Sequence, residues 1–85
     1  MMVMITVEIY SLLLDCSCDF VVDEHMEIDT IIDDVVQMLA QRERCDLAED
    51  AFKMSLYSQK QGIILCRKNR LHDYGIRTGD KLYIV

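Results

Sequence analysis

Leu71-His72-Asp73-Tyr74-Gly75-Ile76-Arg77-Thr78-Gly79-Asp80-Lys81-Leu82-Tyr83-Ile84-Val85 closes the chain, and its pattern orders everything before it. Leu71 to Ile76 predicts a brief helical turn that Gly75 can close in the left-handed conformation, where a Cβ would be strained. Gly79-Asp80 turns the chain into a last strand. In that strand Leu82 and Ile84 alternate with Lys81, Tyr83 and Val85, which predicts the first two inward and the other three outward.

Working outward, Val3-Met4-Ile5-Thr6-Val7-Glu8-Ile9-Tyr10 has a strand's period of two. Val3, Ile5, Val7 and Ile9 share one face, while Thr6 and Glu8 mark the wetter one. After a turn around Ser11–Ser17, Cys18, Phe20 and Val22 alternate with Asp19, Val21 and Asp23, and the short connection predicts a hairpin. The periodicity then lengthens: Ile28, Ile32, Val35, Val36 and Leu39 form the apolar stripe of a helix. Asp29 or Thr30 can cap it, and Thr30-Ile31-Ile32-Asp33 is similar to a capping box with Asp in place of Glu. Asp33 and Asp34 early, with Arg42 and Arg44 late, complement the helix dipole. Residues 46–50 are polar and predicted to be irregular. Phe52, Met54 and Leu56 alternate with Lys53, Ser55 and Tyr57 as a third strand. Ser58-Gln59-Lys60-Gln61-Gly62 connects it to a short fourth strand, Ile63-Ile64-Leu65, whose faces are too uniformly apolar to assign. The order is ββαββ, a turn, then β. A single helix covers one sheet face and leaves the other to solvent or a partner.

The 85 residues predict one domain over residues 1–85, with 52% hydrophobic and 28% charged side chains and no proline or low-complexity tract. The apolar opening, Met1 to Leu14, lacks a basic leader region and is interrupted by Glu8, so it does not predict a targeting signal. It also falls short of the ~20 apolar residues of a membrane span. The expected location is cytoplasmic, with reduced thiols at Cys16, Cys18, Cys45 and Cys66. Cys16-Ser17-Cys18 supplies two ligands without a second close pair, so neither a metal nor a cofactor is expected. The net charge of −6 divides unevenly: residues 1–50 carry 13 acidic and 2 basic side chains, residues 51–85 carry 2 and 7. An acidic chain is not drawn to nucleic acid. The basic set Lys53, Lys60, Arg67, Lys68, Arg70, Arg77 and Lys81 could meet an acidic partner, or a second copy head to tail.

His25 and His72 lie in separate segments, and Ser55 and Ser58 have no base predictable beside them. Gly62, Gly75 and Gly79 are too widely spaced for a phosphate loop. No catalytic residue is therefore assigned, and an enzyme is not expected.

Three stretches carry a family likeness: Ile5-Thr6-Val7-Glu8-Ile9, Asp19-Phe20-Val21-Val22-Asp23 and, above all, Leu71-x-Asp73-Tyr74-Gly75-Ile76-x-x-Gly79-Asp80-x-Leu82-x-Ile84. They resemble the ubiquitin-like β-grasp superfamily and, within it, the YukD/EsaB-type proteins associated with bacterial type VII (Esx) secretion. The resemblance implies an α+β fold in which a mixed five-stranded sheet, in order 2-1-5-3-4, packs on one helix. It also implies a cytosolic accessory role through non-covalent contacts with membrane or ATPase components of the secretion apparatus. With no Gly-Gly after Val85, a carrier or modifier of the sulfur-transfer or conjugation type is the disfavoured alternative. The expected partner-binding face is the open side of the sheet. It holds Met4, Thr6, Tyr10, Val21, Tyr57, Tyr83 and Val85 with Lys53 and Lys81 nearby; Tyr83, Tyr57 and Val85 are the strongest candidates, then Met4 and Lys81.

Overall fold

The computed structural model describes residues 3–12, 14–44 and 53–85. Strands β1 (Met4–Ser11) and β2 (Cys16–Asp23) form an antiparallel hairpin in which Met4 lies opposite Asp23 and Ser11 opposite Cys16. The connection is tighter than the expected Ser11–Ser17 because both ends of that stretch join the ladder. Inside it the Leu14 amide donates to Ser11 Oγ at 3.2 Å, and Asp15 takes a left-handed φ of 49° that Asp tolerates better than most side chains.

Helix α1 (Ile28–Glu43) follows, then β3 (Leu56–Ser58), β4 (Ile63–Ile64), a 3₁₀ turn at Leu71–Tyr74 and β5 (Lys81–Ile84). The sheet order is β2-β1-β5-β3-β4, with β1 and β5 parallel at its centre. This is the α+β arrangement that the resemblance implies. The predicted third strand is shorter than its alternation suggests: Phe52 lies outside the described residues, and the ladder begins where Ser55 and Val85 exchange two backbone bonds of 2.9 Å. The irregular stretch expected at 46–50 and the thiol of Cys45 also lie outside them. In the fourth strand only Ile63 and Ile64 pair with β3; Leu65 leaves the ladder for the core, its amide donating to the Leu56 carbonyl at 2.8 Å.

Alternation on the strands and the helix stripe meet in one buried cluster. Val7, Ile9, Leu56, Leu82 and Ile84 come from the sheet, and Ile28, Ile32, Val35, Val36 and Leu39 from the helix. Ile31 and Ala40 also join it, widening the stripe beyond the positions read from spacing. Cys16 and Cys18 are half-buried thiols packed against this core, whereas Cys66 is exposed and so is no part of it.

The helix start corrects the sequence reading. Asp29 and Thr30 are already helical; the N-cap is Glu27, and no side chain caps it. The first amides are instead met from another part of the chain. Ile28 donates to the Asn69 carbonyl and Asp29 to that of Arg67, both at 2.9 Å, next to an antiparallel bridge between Glu27 and Arg70. The orphan amides of a helix need partners, and backbone carbonyls serve as well as a capping side chain. Asp29, rather than Asp33 or Asp34, is the first-turn acid; Arg42 is in the last turn, and Arg44 is the left-handed C-cap. Arg67 Nη1 also reaches Asp29 Oδ1 at 3.0 Å, and Lys81 Nζ reaches Glu8 Oε1 at 3.7 Å. The acidic first half and basic second half thus meet, in part, within the molecule.

Gly75 closes the 3₁₀ turn at φ 67°, its amide directed to the carbonyls of His72 and Leu71. Gly75→Ala should lower unfolding stability by about 1 kcal/mol, the cost of holding a Cβ in the left-handed region. Denaturant midpoints at equal slope measure it; an unchanged midpoint would mean that the turn relaxes.

Candidate functional site

With the helix on one side, the other face of the sheet is built from the alternate residues of every strand. Pairing register places Tyr10 beside Tyr83 and Tyr83 beside Tyr57, so one row of tyrosines crosses β1, β5 and β3. The Tyr10 and Tyr83 rings meet edge to face, 5.7 Å between centroids at 69°; Tyr57 and Tyr83 are 6.3 Å apart at 54°. Both distances fall in the range where ring quadrupoles attract. Lys81 Nζ lies 5.6 Å from the Tyr10 centroid and 5.3 Å from that of Tyr83, close enough for a cation–π contribution.

Two of the row's hydroxyls anchor it. Tyr83 donates to Gln59 Oε1 at 2.8 Å, and Tyr10 donates to the Asp15 carboxylate. The bond to Asp15 is the main reason that the Tyr10 phenol is held above its ordinary value, since ionisation would set phenolate against carboxylate. Asp15→Asn should therefore bring one tyrosine midpoint down in a titration followed by tyrosinate absorbance. An unmoved curve would show that the two groups do not interact in solution.

Two shallow clefts adjoin the row. One, of about 290 Å³, is lined by Leu12, Tyr57, Gln59, Tyr83 and Val85. The other, of about 410 Å³, is lined by Leu12, Met54, Ile84 and Val85. Leu12 is 60% exposed between them, and Ile64, opposite Tyr57 on β4, is equally open. The result is an apolar surface with tyrosine hydroxyls and one ammonium group on it. It suits another protein's apolar side chains better than a small polar substrate.

Of the residues expected here, Tyr83, Tyr57, Val85, Tyr10 and Lys81 come together. Met4 does not. It is exposed on the same face but sits opposite Asp23 at the far end of the hairpin, about 20 Å from Tyr10 at the rise of a β-strand. Thr6 and Val21 pair with each other toward that end, and Lys53 is exposed but lines neither cleft. Leu12, Met54, Gln59 and Ile64 were not expected. The Ser58-to-Gly62 connection held the signal for Ile64, because pairing Ser58 with Ile63 sets Ile64 opposite Tyr57. Leu12 was marked only by being a large apolar residue in a turn.

At the other end of the hairpin the fold joins two histidines that the sequence keeps apart. The His25 and His72 rings lie 4.8 Å apart, tilted by 39°. His25 Nε2 and His72 Nδ1 are each 3.6 Å from Glu24 Oε1.

No family model and no curated protein matches the chain. Solved structures do. The EccD5 ubiquitin-like domain from Mycobacterium xenopi superposes with a TM-score of 0.76 at 19% identity, over 98% of this chain and 93% of that one. The ubiquitin-like domain of the Mycobacterium tuberculosis type VII secretion system protein ECCD1 gives a TM-score of 0.72 at 22% identity, over 99% of both chains. The ubiquitin-like domain of Plasmodium falciparum Dsk2 gives 0.70 at 14%, over 98% of this chain and 97% of the other. Identities this low speak for fold and not for role, and with the sheet order and the helix packed on the sheet they establish that the chain has the ubiquitin-like β-grasp fold.

Proposed function

We propose that the chain is a non-catalytic protein-docking module that works, unconjugated, in the bacterial cytosol at a secretion apparatus of the type VII kind. The observation that carries this reading is the Tyr10–Tyr83–Tyr57 row with Leu12, Val85 and Lys81 around it. The Tyr10 and Tyr83 rings, fixed by their own hydroxyl bonds, present large contact area with little rotamer entropy left to lose on binding. The type VII setting is supported by the YukD/EsaB-type motif and by the likeness to two EccD ubiquitin-like domains, one of them from a type VII secretion system protein.

Purification of a tagged copy from its native cells, under native and then denaturing conditions, tests the reading. Secretion ATPase or membrane subunits recovered natively and lost on denaturation are the expected result. Adducts that survive denaturation would replace the docking module with a covalent modifier.

A further inference from the structure

We infer that Glu24, His25 and His72 form a binding site for one divalent transition-metal ion, Zn²⁺ by donor chemistry, separate from the tyrosine face. One donor atom from each residue lies within 4.8 Å of the other two. The two imidazole-to-carboxylate distances of 3.6 Å are close to the ~3.4 Å between ligand atoms around a tetrahedral zinc with bonds of about 2.0–2.1 Å. Closing the remaining separation requires ring rotation, and the His25 and His72 side chains, 38% and 61% exposed, have room for it.

The carboxylate is the more telling member. Glu24 is only 17% exposed, in a domain with ample surface for a charged side chain, and it faces both imidazoles. Its backbone is fixed as well: the Glu24 amide donates to the Val3 carbonyl at 2.9 Å, and its carbonyl accepts from the His72 amide at 3.0 Å. The His25 amide donates to Asp23 Oδ1 at 3.0 Å. Three donors are thus set on backbone already tied together, which lowers the ordering cost of binding. A cleft of about 280 Å³ lined by Glu24, His72, Gly75, Ile76 and Arg77 opens beside them. It leaves space for water or a partner's side chain as the fourth ligand.

Two nitrogen donors and one oxygen donor select against Ca²⁺ and Mg²⁺, which take oxygen ligands, and match Zn²⁺. Bound there, the ion would pin the β2–α1 connection to the 3₁₀ turn that leads into β5.

ZnCl₂ alone, titrated into the full chain with thiols kept reduced, tests the site. The expected result is one saturable site per chain, a higher melting temperature with zinc, and joint movement of the His25 and His72 ring signals in NMR spectra. Co²⁺ in place of Zn²⁺ should give a spectrum without thiolate charge-transfer absorption. His72→Gln and His25→Gln should each weaken zinc binding at least tenfold, with melting in EDTA close to that of the parent. Should a variant fail to fold, the ring signals of the parent protein decide alone. Zinc binding unweakened in both variants, a thiolate band, ring signals that zinc leaves in place, or no saturation below about a millimolar zinc would overturn the assignment.

Discussion

Leu82→Ala is expected to destabilise the domain by about 2–5 kcal/mol, the range for deleting a buried leucine side chain and leaving a cavity. Leu82 is fully buried on β5, which runs between β1 and β3, so its side chain touches the core where the sheet has no edge to yield. Backbone pairing holds it on both sides, opposite Ile9 on β1 and Ser58 on β3. Collapse of the neighbours into the space is correspondingly limited, and the upper half of the range applies. At roughly 0.05–0.15 kcal/mol per residue, a chain of this length has only about 4–13 kcal/mol in total. Guanidinium unfolding of parent and variant measures the difference. A loss below about 1 kcal/mol would mean that Leu82 is not enclosed as described.

One residue further on, Tyr83→Glu should have the opposite profile. The side chain points to the other face, where it holds the centre of the tyrosine row. Removing the ring contacts forfeits roughly 0.2–1 kcal/mol of cross-strand interaction, so the melting temperature should fall by only a few degrees. Partner binding should fall by about 30-fold or more, equivalent to about 2 kcal/mol, because a carboxylate replaces a central aromatic and carries an unpaired charge into the contact. Affinity is measured with the subunit that co-purifies natively. Binding unchanged at an unchanged melting temperature would move the docking face elsewhere on the domain.

The contrast between these neighbours was legible in the sequence, because a strand states its two faces directly in its alternation. The same holds for the inward sides of β1 and β2 and for the glycine that closes the 3₁₀ turn. Uniform runs gave less. In Ile63-Ile64-Leu65 only the pairing register assigns the faces, and it leaves two isoleucines open while Leu65 turns inward. Met4 shares a face with Tyr83 by periodicity, yet position along the strand decides proximity, and periodicity is blind to it. The helix start escaped for a different reason. Its capping groups are backbone carbonyls at Arg67 and Asn69, and every residue has a carbonyl, so no side-chain pattern marks them. His25 and His72 illustrate the same limit, since only the folded chain sets both against Glu24.

That carbonyl cap bears on how the protein is made. Ile28 and Asp29 find their acceptors only once residues 67 and 69 are present, and β1 gains its parallel neighbour only with Lys81–Ile84. A nascent chain that has released its hairpin and helix from the ribosome therefore holds an uncapped helix beside a sheet lacking its central strand. At about 5–20 residues per second, this half-built state lasts for seconds of synthesis. Non-local closure of this kind is slow to form, because its loop-closure entropy is met before its contacts are made. Over that interval the backbone edge of β1 that β5 later pairs, from Glu8 to Ser11, is open to a chaperone, or to another chain.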